Sequence, residues 1–266
     1  MNVVSMIHSK ALEKPCLFPH NFMEVNPLSQ NMLAKPLSSQ VLLSFSMSNI
    51  DRLFPGFALG DFAALYGLPT ILPLSLFLSV KAQLPLQLGG LDTNVTFIDG
   101  GNTFKLYRVS RLAQTYQLDP RQVLERIFIS RAFTAHQMTS LIFEKLEEAV
   151  SRLDSKLVII SDIAGLYLDK DVPAAESKEV YNQLTAYLSK FAEEKQVIII
   201  ATLLPHPYSR RNTFMHAATC GRANVVASIR PSRFGQEFVL EKHPILGLGY
   251  ARFPSQNLTL NEFMEN

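Results

Sequence analysis

The stretch YGLPTILPLSLFL, which begins at Tyr66, has the organisation of a turn that binds phosphate groups. An apolar run ends in Tyr-Gly, a short loop follows, and a helix-length apolar segment comes next. Such a turn needs the pattern Gly-x-x-x-x-Gly-Lys-Ser/Thr, because backbone N–H groups, a lysine and a hydroxyl group hold the phosphates and Mg²⁺. Counted from Gly67, those last three positions hold Leu72, Pro73 and Leu74. The segment therefore keeps the order of strand, loop and helix but lacks the glycine, lysine and hydroxyl group that bind phosphates. Pro73 also removes one backbone donor.

Two aspartates are the acidic candidates, because each comes at the end of an apolar run typical of a buried strand. Asp99 ends NVTFID, and Asp162 follows KLVIIS. The carboxyl ends of parallel strands form the edge where open α/β sheets bind ligands, so both carboxylates are candidates for a residual Mg²⁺ or nucleotide site. The alternative is that they cap strands and accept backbone hydrogen bonds, and we favour it. No metal site is predicted, since Cys16 and Cys220 lie far apart and lack metal-ligand spacing.

Positive charge is concentrated late in the chain. The formal net charge is +2, but residues 205–252 carry seven basic against two acidic side chains, so this segment has a charge of +5 and the remainder about −3. Within it, PHPYSRRNTFMHAATCGR combines basic residues with aromatic ones. The residues of interest are Tyr208, Arg210, Arg211, Phe214 and Arg222. We expect Arg210 and Arg211 to lie on a loop, which is either an ordinary solvated basic loop or a binding surface.

The elements that must position these residues alternate between strands and helices. With 47% hydrophobic and 18% charged residues among 266, the chain can bury a sizeable core. The predicted strands are 61–66, 94–99, 127–130, 156–161, 197–202, 224–230 and 237–242, and the predicted helices are 74–83, 106–116, 135–153 and 177–195. Asp119 and Pro120 predict the start of a further helix. This alternation favours one α/β domain with a mostly parallel sheet and helices on both faces, preceded by a loosely structured N-terminal arm over 1–48.

A membrane segment is the competing interpretation of the uncharged run Phe62 to Val80, whose 19 residues are long enough to cross a bilayer. Gly67, Pro69 and Pro73 lie within it and would break the helical hydrogen bonding that lipid demands. We therefore predict a buried strand, loop and helix, and no membrane partner. The short apolar N-terminus has no basic region before it, which argues against a signal peptide. A cytoplasmic location is expected, or a nuclear one in a eukaryote.

Five segments in order resemble the ATPase core of the RecA/RadA recombinase family, especially its archaeal and eukaryotic branch. They are NIDRLFPGFALGDFAALYG, KAQLPLQLGGLDTNVTFIDGGNTFKLYRV, KLVIISDIAGLYL, KFAEEKQVIIIAT and FMHAATCGRANVVASIRPSRFGQEFVLEKHP. The resemblance runs from Asn49 to Phe253, about three-quarters of the chain. It implies a RecA-like P-loop NTPase fold over 49–266 with a degenerate Walker A motif.

The same resemblance shows where this sequence departs from the family's catalytic pattern. The position of the catalytic glutamate holds Gly101, and that of the Walker B aspartate holds Ser161, with Asp162 next to it. Together with the substituted phosphate turn, these changes argue against ATP hydrolysis at the chain's own site. We predict no catalytic residues and no cofactor bound by this chain alone.

The resemblance also implies partners. In the family, the region around Arg210 and Arg211 carries the second DNA-binding loop, which predicts contact with single-stranded DNA. A family triplet, Asp-Ser-Pro, approaches the ATP of the adjacent subunit and corresponds here to Lys242-His243-Pro244. A lysine there can meet a partner's γ-phosphate, so ATP and Mg²⁺ are expected at most at a partner interface.

The function expected from these observations is that of a recombinase paralog or accessory subunit in DNA recombination or repair. It would bind single-stranded DNA, an active RadA-type recombinase, a second copy of itself, or a combination of these. The alternative is an ATP-independent regulatory or scaffold protein that kept the fold without DNA binding. A third interpretation is an enzyme with a relocated nucleotide site around Asp99 and Asp162.

Overall fold

A computed structural model describes residues 41–233 and 235–252 of the chain. Its centre is an eight-stranded sheet with the order β10-β9-β8-β3-β7-β6-β4-β5. The strands of this sheet are β3 (Phe62–Gly67), β4 (Asn94–Asp99), β5 (Ile127–Arg131), β6 (Ser155–Ser161), β7 (Ile198–Leu203), β8 (Val225–Ser232), β9 (Gly235–Lys242) and β10 (Gly249–Arg252). A separate two-stranded sheet pairs β1 (Leu42–Leu43) with β2 (Phe57–Ala58).

The pairing of the strands confirms the predicted mostly parallel sheet. From β8 through β3, β7, β6 and β4 to β5, every neighbouring pair is parallel, whereas β9 is antiparallel to both of its neighbours, β8 and β10. The carboxyl ends of β3, β4, β6 and β7 therefore meet at one edge of the sheet. The loops that follow these four strands are the ones that carry most of the candidate functional residues.

Helices cover both faces of the sheet, as predicted. They are α1 (Ser48–Leu53), α2 (Ile71–Lys81), α3 (Leu106–Thr115), α4 (Pro120–Glu125), α5 (Ala135–Ser140), α6 (Leu146–Leu153), α7 (Ala174–Lys195) and α8 (Arg210–Arg222). One π-helical turn, Leu141–Lys145, joins α5 to α6. Apolar side chains of α2, α3 and α4 share a core cluster with one set of strand residues. Helices α6, α7 and α8 contact strands β3, β4, β6 and β7 from the remaining side.

The central strands are buried on both faces, which explains their continuous apolar runs. Every residue of β7 is buried, and so is every residue of β6 except Lys156. Parallel strands that are covered by helices on both sides select β-branched residues without alternation, and both strands are rich in isoleucine. Asp119 caps α4 by accepting a hydrogen bond from the Arg121 N–H, and Pro120 is the first helical residue, as predicted.

The packed core begins before residue 48, where the sequence predicted the end of an N-terminal arm. Leu43, Phe45 and Met47 are buried and belong to the main hydrophobic cluster. Phe45 lies against three other phenylalanine rings, those of Phe54, Phe57 and Phe238. The rest of the predicted arm, residues 1–40, lies outside the described residues.

The uncharged run from 62 to 80 forms a strand, a turn and a helix, as predicted. It divides into β3 and α2, and ten of the eleven residues of α2 are buried in protein. None of the helices within residues 41–233 and 235–252 combines the length and apolar character that crossing a bilayer requires.

Gly67 is required by the backbone at the point where β3 enters the turn. Its φ is +114°, and a Cβ added there would lie 2.2 Å from the carbonyl oxygen of Ile229 on β8. We expect Gly67→Ala to lower the free energy of unfolding by about 2 kcal/mol or more, since strained backbone and a clash with a rigid strand add together.

Chemical denaturation of both variants checks this expectation, with Gly221→Ala as the matched control. Gly221 lies in α8, and a Cβ added to it would meet no atom within 4 Å. The control should be as stable as the parent or slightly more stable, because alanine favours helix. Equal stability of the two variants would contradict the structural role of Gly67.

Candidate functional site

The turn between β3 and α2 begins at Gly67 and is tightly closed. The Leu68 N–H donates to Ile229 O on the neighbouring strand β8. The Ile71 and Leu72 N–H groups donate to the carbonyls of Leu68 and Pro69, only three residues earlier. Helix α2 therefore starts at Ile71, before the position where a phosphate-binding turn would place its lysine.

Most backbone donors of this turn are not available to an anion. Those of Leu68, Ile71, Leu72 and Leu74 are bonded within the protein, and Pro69 and Pro73 have none. Pro73 and Leu74 are buried, and Leu72 is half-buried. Thr70 Oγ1 is buried without a hydrogen-bond partner among the described residues, so the turn still offers one side-chain hydroxyl. These residues do not fit a triphosphate, which needs several free N–H groups and a cation.

Asp99 ends β4 fully buried and is surrounded by donors from the protein. Its Oδ1 accepts from the Thr103 N–H at 2.8 Å and from Thr103 Oγ1 at 3.2 Å. Its Oδ2 accepts from the Phe104 N–H at 3.2 Å and lies 3.2 Å from the Arg131 guanidinium. These contacts organise the loop after β4 and pair the buried charge, which is the capping role that the sequence favoured.

The positions that correspond to the family's catalytic carboxylates have become part of this packing. Ser161 is buried, and its hydroxyl shares a hydrogen bond with Thr103 Oγ1. A Cβ added to Gly101 would lie 2.8 Å from Thr103 Cγ2 and 2.9 Å from Asp162 Cβ. A glutamate would therefore not fit at position 101 unless its neighbours moved.

Asp162 is paired with a residue that the sequence did not single out, His206. Nε2 of His206 lies 2.8 Å from Oδ1 and 3.0 Å from Oδ2 of Asp162. The hydrogen bond that His206 donates to Asp162 raises the pKa of His206 above its usual 6.5, and burial opposes this in part. A signal for this pair was present in the sequence, because Asp162 follows β6 directly and His206 comes three residues after the adjacent strand β7.

The basic and aromatic candidates lie partly on a helix, which corrects the prediction of a basic loop. Ser209 caps α8, so Arg210 and Arg211 form its first turn. Arg210 is exposed, and the side chain of Tyr208, in the loop before the helix, is 90% exposed. Both residues stand at the carboxyl edge of the sheet.

The other two candidates on this part of α8 are engaged with the protein. Arg211 donates to the carbonyls of Tyr167 at 3.3 Å and Asp169 at 2.7 Å. Phe214 is half-buried, and the ammonium group of Lys178 on α7 lies 5.4 Å from the centre of its ring. Arg211 and Phe214 therefore hold α8 in place in the structure as it stands.

Arg222 and Lys242 lie at the opposite end of α8. A rise of about 1.5 Å per residue places the backbone of Arg222 about 18 Å from that of Arg210. The Nζ of Lys242 donates to Gly221 O at 2.9 Å and to Cys220 O at 3.3 Å, which caps the carboxyl end of the helix. The structure thus does not bring these two residues together with Arg210 and Tyr208.

Comparison with known proteins identifies the family to which this α/β core belongs. Residues 49–216 match the family model described as Rad51, which is more than half of the chain. The meiotic recombination protein DMC1 of Saccharomyces cerevisiae (strain ATCC 204508 / S288c) is 31% identical over 128 residues, covering 47% of this chain and 38% of that protein. The match thus spans well under half of that relative's length. The expected recombinase core and its RecA-like α/β fold are confirmed: the chain belongs to the Rad51 family.

Proposed function

We propose that this chain is a recombinase paralog or accessory subunit in DNA recombination or repair, that it lacks ATPase activity of its own, and that it contacts single-stranded DNA. The observation that carries the proposal is the pair of exposed side chains, Tyr208 and Arg210, at the carboxyl edge of a Rad51-family core. An aromatic ring next to a cation is the combination that stacks a base and neutralises a phosphate of a single strand.

Three features support the absence of ATPase activity. The turn after β3 uses most of its backbone donors internally, Gly101 stands where a catalytic glutamate would be needed, and Ser161 replaces the Walker B aspartate. A change at any one position would be compatible with a variant mechanism. All three together argue against the binding of phosphates and the activation of water at this site.

An active recombinase of the RadA type is the proposed protein partner, with a second copy of this chain as the other candidate. Lys242 would reach the ATP of such a partner only by leaving the carbonyls of Cys220 and Gly221. The Lys242→Ala variant tests this trans contact, because it should lower the partner's ATPase rate. An unchanged rate would leave Lys242 with its helix-capping role.

The alternative function, a regulatory or scaffold protein without DNA binding, is favoured by one observation. Arg211 and Phe214, two of the five residues predicted to contact DNA, are engaged in contacts within the chain. An enzyme with a relocated nucleotide site finds less support, because the donors around Asp99 leave its carboxylate no open position. Calorimetry with ATP and Mg²⁺ separates this third function from the first two.

Removing the exposed cation should weaken binding to single-stranded DNA. We expect Arg210→Ala to reduce the affinity for an oligo(dT) several-fold and to flatten the slope of log K against log salt by about 0.7, the value for one phosphate contact on a single strand. Tyr208→Ala should cost about 1–3 kcal/mol of binding free energy through the loss of one stacked base. Fluorescence anisotropy at several salt concentrations measures both effects.

The matched control is Arg152→Ala on α6, which removes another exposed cation that pairs with Glu148 on its own helix. It should leave DNA affinity unchanged. Arg222→Ala should have a smaller effect than Arg210→Ala, because the two residues lie at opposite ends of α8. If the parent chain fails to bind the oligonucleotide at low salt, the DNA-binding function is wrong and the scaffold function takes its place.

A further inference from the structure

The loop between β7 and α8, residues 204–209, is the segment that presents Tyr208, and it is held by contacts with α8 and with the sheet edge. The Asn212 side chain of α8 donates to His206 O at 3.2 Å and to Pro207 O at 3.4 Å. Ser209 Oγ accepts from the Asn212 N–H at 3.0 Å. In the middle of the loop, the His206 ring binds the Asp162 carboxylate on the neighbouring strand end.

The fold makes room for the Asp162 carboxylate in a specific way. Asp162 has a left-handed φ of +50°, which turns its side chain away from the line of β6. A Cβ added to Gly165 would lie 2.2 Å from Asp162 Oδ2, and one added to Gly101 would lie 2.9 Å from Asp162 Cβ. Asp162 thus fills a space that two glycines leave open, and the Asp162 N–H is fixed by Thr202 Oγ1 on β7 at 3.0 Å.

The pair is largely shielded from water, which makes its interaction stronger than that of a surface ion pair. The side chain of His206 is 25% exposed, and that of Asp162 is 6% exposed. The His206–Asp162 contact therefore joins the loop to the sheet edge in a partly dry environment. Tyr208 and Arg210 follow His206 in the chain and are exposed. The loop fixes the position of Tyr208, and the first turn of α8 fixes that of Arg210.

We propose that Asp162 and His206 form a latch that holds the 204–209 loop against the sheet edge and thereby positions Tyr208 and Arg210 for binding single-stranded DNA. The DNA-binding part of this inference rests on the proposed function, whereas the ordering of the loop does not. Both members are positioning residues, since neither needs to touch the nucleic acid.

The latch responds to pH. The charged residues nearest to His206 on the surrounding elements include Asp162 after β6, Asp169 beyond the following 3₁₀ turn, Arg210 and Arg211 in the first turn of α8, and the pair Asp99–Arg131. Helix α8 also carries His216 and, at its far end, Arg222. Of these, Asp162 is the one that shifts the pKa of His206, and it raises it. A raised folded pKa means that the stabilisation is full below the usual value of 6.5 and is lost as the pH rises through the folded pKa.

The ordering of the loop is measured without DNA. The chain contains no tryptophan, so Tyr208→Trp introduces a single fluorescent reporter into the loop. We expect the anisotropy of this reporter to be highest below about pH 6.5 and to fall as the pH rises through the pKa of His206. Adding His206→Ala should give low anisotropy at every pH, and His206→Gln, which keeps an N–H donor without the charge, should give an intermediate, pH-independent value.

DNA affinity is then measured on the same variants with native Tyr208. His206→Ala should weaken oligo(dT) binding about five- to tenfold, His206→Gln should restore part of it, and Arg152→Ala should have no effect. Thermal melting of each variant verifies that it is folded. If the parent chain binds no DNA, the proposed function fails while the anisotropy still decides whether the latch exists. If His206→Ala leaves the anisotropy unchanged, or loosens the loop without changing affinity, the positioning role is overturned.

Discussion

Asp99→Asn is expected to lower the free energy of unfolding by about 3 kcal/mol, because removing one partner from a buried charged network costs about 3–5 kcal/mol when no relaxation is possible. The carboxylate is fully buried and accepts from two N–H groups, a hydroxyl and a guanidinium. Asparagine keeps one oxygen acceptor but turns an NH₂ group towards donors that it cannot satisfy. Urea denaturation measures the loss.

The matched control for this variant is Asp119→Asn. Asp119 is exposed and caps α4, and asparagine is as good a cap as aspartate, so the change should be close to neutral. If Asp99 were instead a ligand of Mg²⁺, wild-type stability would rise with added Mg²⁺ and the asparagine variant would lose that response. A magnesium-dependent melting temperature would therefore contradict the capping role.

Phe45→Ala is the second change with a large expected effect. Its side chain is 1% exposed and its ring centroid lies 5.4 Å from that of Phe238, 5.7 Å from that of Phe57 and 6.1 Å from that of Phe54. Truncating a buried phenylalanine to alanine loses about 3–5 kcal/mol through lost transfer energy and the cavity that remains. The free energy of unfolding should fall by that amount.

Val41→Ala is the control, because Val41 is 40% exposed and its truncation should cost less than about 0.5 kcal/mol. The comparison determines where the folded core begins. A loss below about 1 kcal/mol for Phe45→Ala would mean that the segment before residue 48 contributes little to stability. That result would agree with the arm over 1–48 that the sequence predicted.

The central strands were predictable because burial on both faces leaves an unbroken apolar run in the sequence. VIIIAT and KLVIIS are buried on both faces, so they read as unbroken β-branched runs, and their bounds agree with β7 and β6 within one residue. The carboxyl-edge location of Asp99 followed from the same pattern. Strand β10, with the sequence GYAR, was not predicted, because four residues at a sheet edge show neither alternation nor an apolar run.

Helix α8 was not predicted, for a different reason. Arg210 and Arg211 look like loop residues by charge, whereas the cap that starts the helix is a single Ser209 hydroxyl. The capping of α8 by Lys242 and the contact of Arg211 with Tyr167 O join residues 21 to 44 positions apart in the chain. Pairings at such separation depend on the tertiary fold, so local sequence patterns do not reveal them.

The Asp162–His206 pair stands between these cases. The order of the strands places the ends of β6 and β7 side by side. The sequence predicted both strands but not their order in the sheet. What the sequence does not give is the left-handed φ of Asp162 or the space left by Gly101 and Gly165. The sequence therefore located Asp162 at the end of a strand, but it did not reveal the bond between Asp162 and His206.

The most direct test of the account is the affinity of the full chain for a labelled oligo(dT), measured by anisotropy at low salt with and without ATP and Mg²⁺. The chain should bind the oligonucleotide equally well in both conditions, because its phosphate turn does not fit a nucleotide and the Tyr208–Arg210 surface is formed by its own contacts. Binding that appears only with ATP, or that tightens tenfold when ATP is added, would contradict the account.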